Sequence, residues 1–230
     1  MAGETFDGLA RDRKGPADQY DVLILDGSHK HSLTSARSLA RAGLRVAVGE
    51  SVGQYPPHHE PPSFQSRYCA RALVLPDYVT EPAVYADAVL GFVREHGVRV
   101  VLPVGDANIT LLAPHRERFK ELGSFLAVAS DASLEIANDK TRTLEVAAKL
   151  DIDYPKSVQV TAVEDLSTAE AQFGYPYVLK PTVSWTGAVA NRMVPLEVMT
   201  GRRPSRRPLA SSRRAVTSSR SSWPPAAARE

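Results

Sequence analysis

Two lysines stand out because each lies at the end of a predicted structural element, where a fixed cation can meet an anion. Lys180 follows the apolar run YVL and precedes a proline in the stretch FGYPYVLKPTVSWTG, residues 173–187. Lys140 lies 40 residues earlier, in the sequence NDK at the start of a predicted helix. A lysine at a helix start opposes the helix dipole, which favours an anion nearby. Two ammonium groups from separate elements suit a polyphosphate, so both lysines are predicted to contact one.

A second candidate site is the turn GDAN at residues 105–108, directly after the apolar run VRVVLPV. In open α/β sheets, ligands bind outside the carboxyl ends of the strands. Asp106 and Asn108 are therefore candidate substrate contacts. Asp106 equally suits the role of N-terminal cap for the helix that follows. The residues alone leave both roles open.

The histidines and the cysteine are interpreted as surface or packing residues, and no metal ligand is predicted. His29 and His31 are two positions apart in a turn, and His58-His59 lies in the proline-rich loop at residues 53–66. Neighbouring histidines seldom converge on one metal, so a solvated position is the favoured interpretation. The loop itself is a candidate for substrate specificity, since long loops in α/β domains are often functional. Cys69 is predicted to pack as a small apolar residue.

The elements that position these residues begin with a predicted Rossmann-like domain at residues 20–130, after a disordered leader at residues 1–19. Continuous apolar runs indicate strands buried on both faces of a parallel sheet, and helical spacing separates them. The turn after the first strand, DGSHKHSLTS, has one glycine and lacks the G-x-G-x-x-G of dinucleotide sites. Strands are predicted at 20–26, 44–48, 67–75, 98–104 and 124–130, and helices at 33–42, 82–97 and 109–122, the last interrupted near Pro114.

Residues 131–199 have a different pattern and are predicted to form an incomplete α+β subdomain. Helices are predicted at 132–137, 141–150 and 163–173, and strands at 157–161, 177–180 and within 188–198. From residue 200 to 230 the chain consists almost wholly of Arg, Ser, Pro and Ala without a period. Such a segment buries too little apolar surface to offset its ordering entropy, so disorder is predicted there.

The charge of the chain is divided unevenly between its body and its tail. Residues 201–230 contain eight of the 28 basic and one of the 26 acidic residues, which leaves 20 basic and 25 acidic residues before them. An acidic body does not suggest nucleic-acid binding, except through the tail. No stretch has the 18 apolar residues of a membrane span. The single cysteine fits a reducing compartment, so a cytoplasmic location is predicted.

The order of these features resembles the ATP-grasp ligase family, in particular its carbamoyl-phosphate-synthase-like and amino-acid-ligase-like members. The matching segments are ANDKTRTLEVAAKLDIDYPKSVQV, residues 137–160, and FGYPYVLKP, residues 173–181. The resemblance covers about residues 20–198. It implies a pre-ATP-grasp domain at 20–130 and part of an ATP-grasp subdomain at 131–199.

The resemblance also implies what the candidate residues do. Lys140 and Lys180 match the family's positions that contact ATP phosphates. The family's lysine at the position of Lys180 also touches the adenine side of the nucleotide. The family uses ATP with Mg²⁺ to activate a carboxylate as an acyl phosphate, which an amine then attacks. The carboxylate and the amine of this chain are not specified by the sequence.

The sequence departs from the family in two respects. The turn after Lys180, TVSWTG, has one glycine where many members have a glycine-rich loop, and no acidic pair follows Glu197 to hold Mg²⁺. A slip of the reading frame near residues 198–201 would explain the composition change, and translating the other two frames tests it. The chain is thus predicted to be a truncated, ATP-binding ligase fragment without turnover of its own. The alternative is a non-catalytic α/β small-molecule-binding module whose basic tail contacts nucleic acid or an acidic partner.

Overall fold

The structure, a computed structural model, describes residues 19–55, 60–162 and 165–183, and the backbone of residues 196–198 and 214–218. The chain divides into two compact units, with the boundary between Ala129 and Ser130. Across these described ranges, no helix has the length and apolar character needed to cross a membrane.

The first unit is built on a parallel sheet of five strands. Their order is β3-β2-β1-β4-β5, and every neighbouring pair is parallel. This confirms the predicted parallel-sheet domain. The strands are β1 (Val22–Ile24), β2 (Val46–Ser51), β3 (Arg71–Leu75), β4 (Val100–Leu102) and β5 (Phe125–Leu126).

The central strand β1 is apolar on both faces because both faces are covered. Leu23 belongs to one apolar core with residues of α2 (Pro82–His96), whereas Val22 and Ile24 belong to another with Ala36 of α1 (Lys30–Arg41). Leu23 and Ile24 are fully buried. Burial of one such side chain contributes roughly 1.5–3 kcal/mol, so these two cores are the main stabilising term of the unit.

The helix predicted at 109–122 is interrupted near its proline, as expected. It consists of α3 (Asp106–Leu112), a 3₁₀ turn (Ala113–His115) and α4 (Arg116–Glu121). Pro114 lies in the 3₁₀ turn because a proline lacks the N–H needed in a helix interior. The broken helix still packs on the sheet, since Leu112 and Phe119 are fully buried.

The second unit contains three helices and a four-stranded antiparallel sheet within the described residues. The sheet order is β6-β9-β7-β8, with every neighbouring pair antiparallel. Its elements are α5 (Asp131–Asn138), α6 (Lys140–Lys149), β6 (Ser157–Val160), α7 (Asp165–Phe173), β7 (Tyr177–Pro181), β8 (Leu196–Val198) and β9 (Arg214–Ser218).

Strand β9 is a departure from the disorder predicted for residues 200–230. Its sequence, RAVTS, contains a β-branched pair without glycine or proline, which a strand tolerates well. A partner on each side supplies the backbone hydrogen bonds that composition alone does not reveal. The remainder of the predicted disordered tail, and the leader at 1–18, lie outside the described residues.

Among the residues of the second unit that the structure describes, the buried apolar cluster is small. It consists of Val160, Ala169, Tyr177 and Leu179, which join β6 and β7 to α7. By contrast, α5 and α6 contain no buried residue. Large apolar side chains on and after these helices are exposed, namely Ile136, Leu150, Ile152 and Tyr154.

Candidate functional site

Lys180 lies near the end of β7 on the face opposite the small core of the second unit. Burial alternates along the strand, with Tyr177, Leu179 and Pro181 buried and Val178 and Lys180 partly exposed. Successive side chains of a strand point to opposite faces. Lys180 is therefore held by a packed strand while its own side chain lies on the other face.

The backbone of Lys140 is held against the residues that follow β7 by a main-chain contact. Its backbone N–H donates to the carbonyl oxygen of Thr182 at 3.0 Å, and Asp139 forms an antiparallel bridge with Val183. Lys180 lies two residues before Thr182, a separation of about 7 Å in extended backbone. The backbone of Lys140 thus lies beside the chain that leaves β7, two residues beyond Lys180, although 40 residues separate the two lysines in the sequence.

The start of α6 supplies little positive charge of its own. The Asp139 carboxylate caps the helix, accepting from the N–H groups of Thr141 at 2.8 Å and Arg142 at 3.2 Å. These N–H groups are the ones an anion would otherwise use at a helix N-terminus. These two N–H groups are therefore already engaged by the Asp139 carboxylate.

The other predicted site residues, Asp106 and Asn108, have different environments. Asp106 is exposed in the first turn of α3, whose N-cap is Gly105, so Asp106 is not the cap. Asn108 is buried, and both ends of its amide are engaged within the first unit. Its Nδ2 donates to Asp26 Oδ1 at 2.7 Å, and its Oδ1 accepts from the Tyr85 hydroxyl.

Asp26 organises the carboxyl edge of the parallel sheet. It follows β1, is 5% exposed and has a positive φ of 59°. Its Oδ2 accepts from the N–H groups of Val104 at 3.1 Å and Gly105 at 2.7 Å, which follow β4. With the Asn108 contact, one carboxylate accepts three hydrogen bonds and joins the ends of two neighbouring strands.

Glu50 is a second buried carboxylate at this edge, located in β2 and 3% exposed. It accepts from the Ser28 N–H at 2.7 Å and the Ser51 N–H at 2.9 Å. Burial raises the pKa of Glu50 above its usual range, the nearby Asp26 charge adds to this, and the two N–H donors oppose it.

The raised pKa of Glu50 predicts a pH-dependent stability. Between the unfolded-state pKa, about 4.5, and the higher folded-state pKa, the folded chain binds more protons than the unfolded chain. The free energy of unfolding contributed by Glu50 is therefore greatest below pH 4.5 and falls as the pH rises through the folded-state value. Urea unfolding of wild type and Glu50→Gln from pH 4 to 7 should show that their difference changes with pH in this direction.

The matched control for this pH series is Glu121→Gln, at an exposed position at the end of α4. It removes one carboxylate from the surface, so it measures what the loss of one charge does to stability over the same range. If the Glu50→Gln difference changes with pH no more than the Glu121→Gln difference does, the buried carboxylate does not titrate as inferred.

The histidines and the cysteine do not gather at these sites in the described part of the chain. His29 is the residue before α1 and His31 is exposed, whereas His58-His59 lies outside the described residues. Cys69 is buried, and burial raises the pKa of its thiol to about 11. The loop at 53–66 returns to the carboxyl edge of the sheet, where the Ser63 N–H donates to the Gly27 carbonyl oxygen at 3.3 Å.

Known proteins resemble this chain in fold rather than in sequence. Neither a protein-family model nor a curated protein matches the sequence. Solved structures do match. An ADP complex of N5-carboxyaminoimidazole ribonucleotide synthetase has a TM-score of 0.54 at 15% identity over 87% of this chain. The ADP complex from Staphylococcus aureus has a TM-score of 0.55 at 13% identity over 86%, and the enzyme from Thermus thermophilus has 0.53 at 18% over 85%.

These neighbours are ATP-grasp ligases. The chain has the fold of part of an ATP-grasp ligase. It spans 46–47% of the length of the three matching chains, so about half of an ATP-grasp ligase has a counterpart here. The fold predicted from the paired lysine motifs is thereby confirmed.

The ATP-grasp family uses Mg²⁺, and the described residues do not fit that ion by themselves. Across them, no three His, Cys, Asp or Glu side chains are grouped so that they could hold a metal. The buried carboxylates Asp26 and Glu50 are occupied by N–H donors, which a metal ligand would have to give up.

The sequence analysis did not single out three buried polar residues of the first unit, namely Asp26, Glu50 and Tyr85. A signal was present for Asp26, since the buried run YDVLILD ends in an acid at the carboxyl end of a strand. Glu50 is the last residue but one of β2, so it also lies near the carboxyl end of a strand. No local pattern marks Tyr85, because its partner Asn108 is 23 residues away.

Proposed function

We propose that this chain is an ATP-binding fragment of an ATP-grasp carboxylate–amine ligase, in which Lys140 and Lys180 contact the ATP phosphates. In the intact ligases, ATP activates a carboxylate as an acyl phosphate before the amine attacks. The chain spans about half the length of the matching synthetase. It is proposed to bind ATP without sustained turnover. A cytoplasmic location fits its single, buried cysteine.

The observation that carries the proposal is the hydrogen bond from the Lys140 N–H to the Thr182 carbonyl oxygen. It holds the start of α6 against the chain that leaves β7, which supports the proposal that Lys140 and Lys180 contact the same phosphates. Lysine ammonium groups are compact charges with three donors, suited to phosphate oxygens. Because Asp139 occupies the helix N–H groups, the attraction for phosphate rests on these side chains.

The substrate is proposed to lie at the carboxyl edge of the parallel sheet in the first unit. Asp106 is exposed there and carries a charge that suits an amine, whereas the Asn108 amide is already engaged. The loop at 53–66 returns to this edge through Ser63 and is proposed to contribute to specificity.

Equilibrium titration of the full chain tests the proposal, with ATP, ADP and adenosine compared in the presence and absence of Mg²⁺. ATP and ADP should bind at least tenfold more tightly than adenosine, since the phosphates make the charged contacts. Steady ADP release should stay at the level of a no-protein control. Equal affinity for adenosine and ATP would contradict a phosphate site, and sustained ADP release would contradict the proposed lack of turnover.

A further inference from the structure

The sheet of the second unit has a strand from the arginine-rich tail at its centre. Among the described strands, β6 and β7 are not neighbours, because β9 lies between them and is antiparallel to both. Residues 214–217 pair with β6, and residues 214–218 pair with β7. The tail therefore occupies an interior position of the sheet rather than its edge.

The apolar core of this unit stays closed only if a strand lies between β6 and β7. Val160 of β6 and Tyr177 and Leu179 of β7 belong to one apolar cluster with α7. Neighbouring strands lie about 4.8 Å apart, so a single intervening strand sets β6 and β7 about 10 Å apart. Without it, both strands would present unpaired N–H and C=O groups, and the two sides of the core would be separated by an open gap.

We propose that the gap between β6 and β7 is a strand-binding site, and that residues 214–218 of the tail are its occupant. The site recognises backbone in extended form, antiparallel to both neighbours. The segment RAVTS suits it because it has no proline or glycine and includes Val and Thr, which favour strands. Residues 214–218 of the arginine-rich tail are thus a structural element of the second unit.

The connection between β8 and β9 is long enough for this arrangement. Both strands are antiparallel to β7 and lie on either side of it, so they are parallel to each other. Parallel strands need a crossover connection of a dozen or more residues. Residues 199–213 meet that requirement.

Occupancy of the gap also bears on Lys180, which pairs in register with Ala215. The tail strand thereby holds the backbone of β7 at the position of this lysine. The pairing of β9 with β6 and β7 does not require a nucleotide bound at Lys180. Hydrogen exchange of the protein without ligand therefore measures this pairing.

Hydrogen exchange of the full chain tests the strand, with Val216→Pro compared with Ser221→Pro. Proline in an interior strand removes a ladder hydrogen bond and is excluded sterically, whereas Ser221 lies beyond β9. In Val216→Pro, the amides of residues 157–160 and 177–180 should exchange at least tenfold faster than in wild type, while residues 22–24 of the first unit stay protected. Unchanged exchange in residues 157–160 and 177–180 would overturn the proposal.

A cross-linking test does not rely on a destabilised variant. Gln159 pairs with Ala215, whereas Ser157 pairs with Thr217. The variant Gln159→Cys/Ala215→Cys should form an intrachain disulfide on mild oxidation, whereas the offset variant Gln159→Cys/Thr217→Cys should form at least fivefold less. Cys69 is buried and should not compete. Equal yields in the two variants, or no disulfide in either, would overturn the assigned register and the proposal with it.

Discussion

Replacement of Lys180 by alanine is expected to weaken ATP binding by roughly ten- to a hundredfold, because one charge-assisted contact to phosphate is lost. The residue lies on the outward face of a packed strand, so its removal leaves the core residues Tyr177 and Leu179 in place. Thermal unfolding should change little. Titration calorimetry or a fluorescent ATP analogue, displaced by unlabelled ATP, measures the loss.

The matched control for this prediction is Lys149→Ala. Lys149 is an exposed residue in the last turn of α6, the helix that begins at Lys140. It carries the same charge in the same unit, so its removal changes the overall charge equally. Binding should stay within about twofold of wild type, as for an exposed charge that makes no specific contact. Equal losses in the two variants would show a non-specific charge effect and would remove Lys180 from the site.

Replacement of Asp26 by alanine is expected to destabilise the first unit by about 3–5 kcal/mol, because buried donors lose their only charged acceptor. The donors are the N–H groups of Val104 and Gly105 and the amide of Asn108. Alanine also tolerates the positive φ at this position less well than aspartate or asparagine does. Urea unfolding followed by circular dichroism gives the loss.

Two comparisons separate the causes of this destabilisation. Asp26→Asn retains an acceptor and the backbone preference, so it should cost clearly less than Asp26→Ala. Asp87→Ala removes an exposed carboxylate that pairs with Arg118 at 2.9 Å, and a pair of this kind contributes about 1 kcal/mol or less. A loss for Asp26→Ala no larger than that for Asp87→Ala would mean that the three hydrogen bonds do not join the strands as inferred.

The regular elements could be predicted from the sequence because their cause is local. The run YDVLILD is apolar on both faces since β1 is covered on both, and Pro114 interrupts the helix where its missing N–H requires it. The two lysines stand out in the sequence for a similar reason, since each follows or begins a well-marked element, and their role at a phosphate site stays a prediction. The contact between Lys140 and Thr182, however, could not be read from either motif.

The remaining features depend on partners far away in the sequence. Asn108 looks like a free substrate contact in the turn GDAN until Asp26 and Tyr85 engage both ends of its amide. Likewise, the tail looks disordered because its composition buries little apolar surface, whereas β9 is stabilised by backbone bonds to β6 and β7. The composition of the tail reflects its side chains. It does not reveal that the backbone N–H and C=O groups of β6 and β7 need a strand to pair with.

The central claim is that Lys140 and Lys180 contact the phosphates of one bound ATP. An acyl-phosphate derivative of ATP transfers its acyl group to lysines within reach of the phosphates, and peptide mass spectrometry locates the labelled residues. Labelling is predicted at Lys140 and Lys180, at least tenfold above Lys30, Lys120, Lys149 and Lys156, and excess ATP should suppress it. Uniform labelling of all lysines, or labelling of Lys140 and Lys180 that excess ATP does not reduce, would contradict the claim.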